Sequence, residues 1–240
     1  MHTDIRQLLD FYASPLGARA RRIIAHRIRA RWPRAAGLTL MGLGFATPYL
    51  GSFRGEVVQL GALMPSTQGA AVWPTTGRVK TIVVEETTLP LQDNSVDRML
   101  VVHCIETTEN VRGMLREIWR VLAPEGRLLL VVPNRRGMWA RFDRTPFGHG
   151  RPYSPAQLER LLTDAMLNPL SLETALHMPP FESRVVLRSA LTLERLGARV
   201  APAFAGLILV EARKETMSPL MKPALPERLT ELVPYRGAAP

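Results

Sequence analysis

Apolar positions along the chain change period in a way that sorts strands from helices. Met99 to Val102 is an unbroken apolar run between polar loops, too short for a helix, and it predicts a strand buried on both faces. From Asn110 onward Val111, Met114, Leu115, Ile118, Val121 and Leu122 recur at spacings of three and four, with Arg112, Arg116, Glu117 and Arg120 opposite them. That is the pattern of a helix packed on a sheet. Pro124-Glu125-Gly126 stops the helix, and Leu128 to Val132 reads as a second buried strand ending at Pro133. Strand, helix and strand in this order form a right-handed parallel crossover.

The same reading covers the rest of the chain. Residues 4–34 are helical, in two pieces parted at Ser14-Pro15; Ile23, Ile24 and Ile28 form an apolar stripe in the second piece. Strands follow at Leu38–Met41, Val57–Leu60 and Thr81–Val84, with a polar, turn-rich loop from Met64 to Gly77. Beyond the second buried strand lies a long loop, Asn134 to Tyr153, with Gly148 and Gly150 as candidate hinges. A helix from Ser154-Pro155 to Leu162, a strand from Leu170 to Leu176, a helix-spaced insertion from Phe181 to Val200 and a last strand from Ala205 to Ala212 complete it. One domain with added segments accommodates all of this: a helical cap over 1–34, a core over 35–215 and an extended, proline-bearing tail over 216–240.

Charge narrows the partners. The net charge is +10, from 31 basic and 21 acidic residues, and the only lysines are Lys80, Lys214 and Lys222. The segment 1–34 holds eight arginines against two aspartates. Such a helix either covers the sheet edge with a solvated basic face, the favoured reading, or binds an anionic membrane or nucleic acid. One basic helix, without aromatic or phosphate-binding partners set against its charge, is a weak signal for nucleic acid. The uncharged stretches Ala35–Phe53 and Val57–Gly77 are broken by Gly, Pro, Ser and Thr and do not read as membrane spans. A lone Cys104 and the lack of a signal-peptide layout point to a reducing, cytoplasmic setting. His103, Cys104, His149 and His177 lack clustered partners, so no metal site is expected.

The block LPLQDNSVD before the first buried strand, and EIWRVLAPEGRLLLVVPN after it, resembles the class I S-adenosylmethionine-dependent methyltransferases, type 11 branch. The resemblance implies an α/β, Rossmann-like sheet of seven mostly parallel strands with an antiparallel last strand. To this the chain adds basic N-terminal helices and a helical insertion before the last strand. It further implies S-adenosylmethionine as cofactor and a small-molecule methyl acceptor. The scaffold methylates carbon, oxygen and nitrogen, and neither acceptor nor oligomeric state follows from it.

Residue by residue, Gly42 and Gly44 match the first two glycines of the family's cofactor turn and Ala46 replaces the third. The acid usual before them is Leu40 or Met41 here. Glycine at such a turn lets backbone approach a ligand closely. An acid is also usual at the end of the second strand; Gln59 is the neutral substitute, and its loss of charge corresponds to about 1.5–3 kcal/mol of binding. Trp73 is a candidate to stack on the adenine, or else packs between loop and core. Glu85 stands where the resemblance expects an acceptor for the adenine amino group, with Glu86 beside it. His103, after the fourth strand, is the candidate for pocket chemistry; Cys104 reads as a small buried hydrophobe. His149, Arg151 and Tyr153 in the long loop are candidates to close over the acceptor. The missing acids also allow a second function, a non-catalytic methyltransferase-like module that binds a partner.

Overall fold

Two helices open the chain as expected, α1 (Ile5–Ala13) and α2 (Pro15–Arg31). Ser14 parts them: its side chain caps α2 by accepting from Gly17 N, and Pro15, lacking an amide hydrogen, takes the first helical position. The structure, a computed structural model, describes residues 4–215, and the tail expected over 216–240 lies outside the described residues.

Seven strands follow: β1 (Thr39–Gly44), β2 (Gln59–Pro65), β3 (Thr81–Val84), β4 (Val96–Val102), β5 (Leu122–Pro133), β6 (Leu167–Ala175) and β7 (Leu207–Lys214). They form one sheet in the order β3-β2-β1-β4-β5-β7-β6. Neighbours from β3 to β5 are parallel, and β7 runs antiparallel to both β5 and β6. The expected topology is therefore present.

Several boundaries differ from the sequence reading. β5 starts at Leu122, directly after α4, so Pro124-Glu125-Gly126 lies inside the strand, at the register irregularity between Val96 and Arg98 of β4, and is not a turn ahead of it. β2 starts where it was expected to end, because Gly61 to Pro65 lie between β1 and β3 and continue the ladder from Thr39↔Gln59 to Pro65↔Val84. β6 begins at Leu167 and takes Pro169 into the strand at a register irregularity, where a missing amide hydrogen is tolerated. The insertion forms two helices, α6 (Arg184–Arg188) and α7 (Ala190–Val200), parted at Ser189. Their numbers follow α3 (Thr47–Leu50), α4 (Val111–Val121) and α5 (Pro155–Asp164).

Side chains alternate across the sheet, as the pleat requires. Leu100 and Val102 of β4 join the core formed with α1 and α2, while Met99 and Val101 join the core formed with α4 and α5. The crossovers on the first side are meagre. The β1–β2 connection holds only four-residue α3 and a 3-10 turn, and the β2–β3 connection holds no helix. The N-terminal α2 covers the face they leave, with Ile24, Ile28 and Trp32 in one cluster with Leu40, Leu60 and Ala62. Its C-terminal end is pinned to β7: Trp32 Nε1 donates to Glu211 Oε1 at 2.9 Å, and Arg31 and Arg127 approach the same buried carboxylate at 3.7 and 3.2 Å. A buried carboxylate needs such donors.

On the opposite side α4 is clamped to the β3–β4 loop. Arg120 binds Glu117 (Nη2 to Oε2, 2.8 Å) and donates to the Leu89 and Leu91 carbonyls at 2.9 Å, while Glu117 accepts from Leu89 N at 2.9 Å. The Arg120 hydrogen bonds, helped by the Leu89 amide, hold the Glu117 carboxyl below the usual carboxylate range. A depressed folded-state pKa contributes stability that is present above the unfolded value and lost as pH falls through the folded one. Glu117→Gln is therefore expected to lower stability at pH 7 by about 1 kcal/mol after solvent screening. Denaturant unfolding should show that difference shrinking as the pH is lowered through the acid range. A constant difference at all pH values would remove the ion pair as its source.

Candidate functional site

The strand order reverses between β1 and β4, and open sheets of this kind bind ligands at such a switch point, outside the carboxyl ends of the strands. Here those ends carry four neighbouring loops, starting at Phe45, Ser66, Glu85 and His103. His103 is at their centre, in a left-handed backbone conformation (φ 51°) that a non-glycine residue holds only when its surroundings impose it.

Both ring nitrogens of His103 face polar neighbours. Nε2 is 2.9 Å from the Tyr12 hydroxyl, which is in turn 2.9 Å from the Tyr49 hydroxyl. Nδ1 lies 3.3 Å from Glu106 Oε1, without the geometry of a hydrogen bond, so both Glu106 oxygens are buried with no donor among the described residues. Phe147 covers the imidazole, ring centroids 4.6 Å apart. Gln68 Nε2 donates to the His103 carbonyl at 2.6 Å while its Oε1 is buried without a partner. Glu86 Oε1 accepts from Thr108 Oγ1 at 3.0 Å, and Oε2 has no donor. Burial first, then the neighbouring Tyr49, pushes the Tyr12 phenol well above its ordinary range, and burial raises Tyr49 as well.

The structure redistributes the residues singled out in the sequence. Gly44 turns at the end of β1 with φ 78°, and Phe45 N donates to the Val102 carbonyl at 2.8 Å. Gly42 and Ala46 pack on each other: a Cβ at Gly42 would stand 2.7 Å from Ala46 Cβ and 2.8 Å from Leu50 Cδ1. Gln59 is corrected outright, since it opens β2 opposite Thr39, at the amino end of the sheet and away from the crevice. Ser66 follows β2 instead, and it donates to Glu85 Oε1. Trp73 is corrected for the same reason. Its amide donates to Thr81 Oγ1 at the amino end of β3, and its ring lies under Arg54 at 5.0 Å. Glu85 and Glu86 do follow the carboxyl end of β3, Glu85 exposed.

The long loop is not the hinged flap expected. Trp139 and Phe147 are core residues, Trp139 Nε1 donates to the Met178 carbonyl at 2.7 Å, and Asn134 Nδ2 donates to the Ala205 carbonyl at 2.8 Å. A Cβ at Gly150 would stand 2.3 Å from the Glu106 carbonyl, so this glycine serves a close approach. His149 is apart from Arg151 and Tyr153, which line one cavity together. His149 lines a cavity with Asp10 and Asp143, Arg151 lines another with Arg112 and Arg135, and the buried Tyr153 hydroxyl donates to the Ile105 carbonyl at 3.2 Å. Cys104 is buried against Met114 and burial raises its thiol, as a small hydrophobe's would be.

Tyr12, Tyr49, Gln68, Glu106 and Phe147 went unrecognised in the sequence. Glu106 had a local signal, three residues after His103; Tyr12 had only its place four residues after Leu8 on the apolar face of α1.

The sheet order, the reversed β7 and the glycine turn at the switch point define an α/β domain of the S-adenosylmethionine-dependent methyltransferase fold. Residues 41–130 match the methyltransferase domain family. Solved structures agree in fold. A S-adenosylmethionine-dependent methyltransferase from Thermotoga maritima is 13% identical, with TM-score 0.63 over 88% of this chain and 96% of that one. One from Archaeoglobus fulgidus is 16% identical, with TM-score 0.61 over 88% of this chain and 100% of that one. The geranyl diphosphate C-methyltransferase of Streptomyces coelicolor, in complex with S-adenosyl-L-homocysteine, is 14% identical, with TM-score 0.55 over 80% and 77%. No curated protein sequence matches the chain. The match over residues 41–130 and the shared fold together support the class I S-adenosylmethionine-dependent methyltransferase family, with S-adenosylmethionine as the cofactor.

The crevice as it stands is packed with aromatic side chains beside the glycine turn. A Cβ at Gly44 would meet the Val102 carbonyl at 2.3 Å and Cys104 Cβ at 2.7 Å, so this glycine faces the protein's own β4. Beside the turn, Tyr12, Phe45, Tyr49 and Phe147 are each at most 6% exposed; Tyr12 packs on Phe45 and Tyr49, and Phe147 joins them through Phe11 and His103.

Proposed function

We propose that the chain is a methyltransferase for a small-molecule acceptor whose crevice opens when α1 withdraws Tyr12. The observation that supports this is the set of four oxygens buried without donors: Gln68 Oε1, Glu86 Oε2 and both oxygens of Glu106. All lie on the loops after β2, β3 and β4. Buried acceptors in folded proteins are met by water or a ligand, and each one left unmet costs about 1–3 kcal/mol. A donor-rich ligand, as the amino and hydroxyl groups of the cofactor make it, relieves that cost. α1 is a separable element, joined to α2 through the capped break at Ser14.

In this reading the Gly44 turn, Glu85 and Glu86 are the cofactor side of the open crevice. His103, released from Tyr12 and flanked by Glu106, is the group able to take a proton from an acceptor that must lose one. Alignment and exclusion of water are the protein's remaining tasks in a displacement from an activated sulfonium. Among the described residues no helix is long and apolar enough to cross a membrane, and a cytoplasmic setting is part of the proposal. The aromatic filling of the crevice favours a second reading, a partner-binding module on the same fold.

Calorimetry with S-adenosylmethionine and S-adenosylhomocysteine separates the two. Weak but measurable binding is expected, with a further loss of at least tenfold in Glu85→Ala, about 1.4 kcal/mol. If millimolar cofactor binds neither the wild type nor the Tyr12→Ala variant, the enzyme reading fails and the partner-binding module replaces it.

A further inference from the structure

The insertion between β6 and β7 buries one side and leaves the other bare. α7 turns Ala190 and Glu194 inward, and the Glu194 carboxylate accepts the backbone amides of Leu176 and His177 at 3.0 and 2.7 Å. Those bonds fix the helix's rotation. Leu191, Leu196 and Val200 then face outward at 54, 57 and 75% exposure, joined by Val185 of α6 at 72% and Phe204 at 64%. Single exposed apolar residues are ordinary, whereas five on one insertion mark an interaction surface.

Its charge says what kind of surface. Arg184, Arg188, Arg195 and Arg199 are all exposed among these apolar residues, and Glu182 is the one exposed acid of the two helices and the residues leading into them. None of the four arginines makes an ion pair among the described residues. α2 extends the surface, since Arg22 and His26 line with Leu191 and Arg195 a largely apolar cavity of about 420 Å³.

A second copy of the chain would set arginine against arginine. The segment 216–240 carries Lys222, Arg228 and Arg236 against Glu227 and Glu231, a net +1 that offers no complement. An anionic bilayer satisfies both halves of the pattern: apolar side chains enter the acyl boundary, and arginine stems lie along it with their guanidinium groups at the phosphates. We propose that α6, α7 and the adjoining edge of α2 are a docking surface for an anionic lipid bilayer. This stands independently of methyl transfer.

The test is flotation of the full chain with vesicles of phosphatidylglycerol and phosphatidylcholine, against vesicles of phosphatidylcholine alone. Binding is expected only to the anionic vesicles, weakening as salt is raised. Leu196→Ser combined with Val200→Ser, and separately Arg195→Glu combined with Arg199→Glu, should each reduce it at least tenfold. These side chains are exposed, so an unchanged melting curve will show that the variants are folded. No binding to anionic vesicles overturns the proposal, as does binding that both folded variants retain in full.

Discussion

Gly44→Ala is expected to destabilise the fold by roughly 2–5 kcal/mol, a large share of the 5–15 kcal/mol typical of a domain. Two costs combine. Gly44 sits at φ 78°, where an added Cβ costs about 1–2 kcal/mol. That Cβ would also stand 2.3 Å from the Val102 carbonyl and 2.7 Å from Cys104 Cβ, so β1 must move away from β4, at about 1–3 kcal/mol. Phe45 N, which donates to the same Val102 carbonyl, moves with it. From sequence alone the opposite outcome is expected: a bulky residue here would block a cofactor and leave the protein folded. The packing makes this glycine a fold determinant. An unaltered urea midpoint for Gly44→Ala would show that the turn can relax at no cost.

Tyr12→Ala is expected to act in two directions at once. Removing a fully packed aromatic side chain costs about 3–5 kcal/mol, and here it also strips His103 Nε2 and the Tyr49 hydroxyl of their shared partner. The same deletion empties the space beside the Gly44 turn. Affinity for S-adenosylmethionine should therefore rise at least tenfold, even as the melting temperature falls. Tyr12→Phe is the control, because it keeps the ring and removes only the hydroxyl; its cofactor affinity should stay near that of the wild type. A folded Tyr12→Ala protein that binds no more tightly than wild type would show that this ring is not what closes the crevice.

Much of the fold was legible in the residue pattern. A strand buried on both faces shows itself as a short apolar run, as Met99–Val102 does within β4, and Thr81–Val84 is recovered at its observed bounds although it is an edge strand with Ile82 and Val83 exposed. Helix α4 shows itself by its three-and-four spacing, and Ser14-Pro15 marks a helix break that the structure reproduces. β2 was misplaced because Gly61 and Ala62 look like the start of a loop until β1 and β3 close around them. That error carried Gln59 to the wrong end of the sheet, since a strand's register decides which residues reach its carboxyl end.

By itself, then, the order of apolar and polar residues determined the central strand–helix–strand unit and the place of Glu85, Glu86 and His103 at strand ends. These are local properties: burial of a strand or helix imposes its period on the residues that form it. The class of the whole sheet came through the family resemblance. What covers the crevice was decided only in three dimensions. Tyr12 meets His103 across 91 residues of chain, and Phe147 reaches the same ring from a loop read as a flap. No period in the sequence records such a meeting, because it depends on how α1 and that loop dock on a sheet whose own crossovers are too short to cover it.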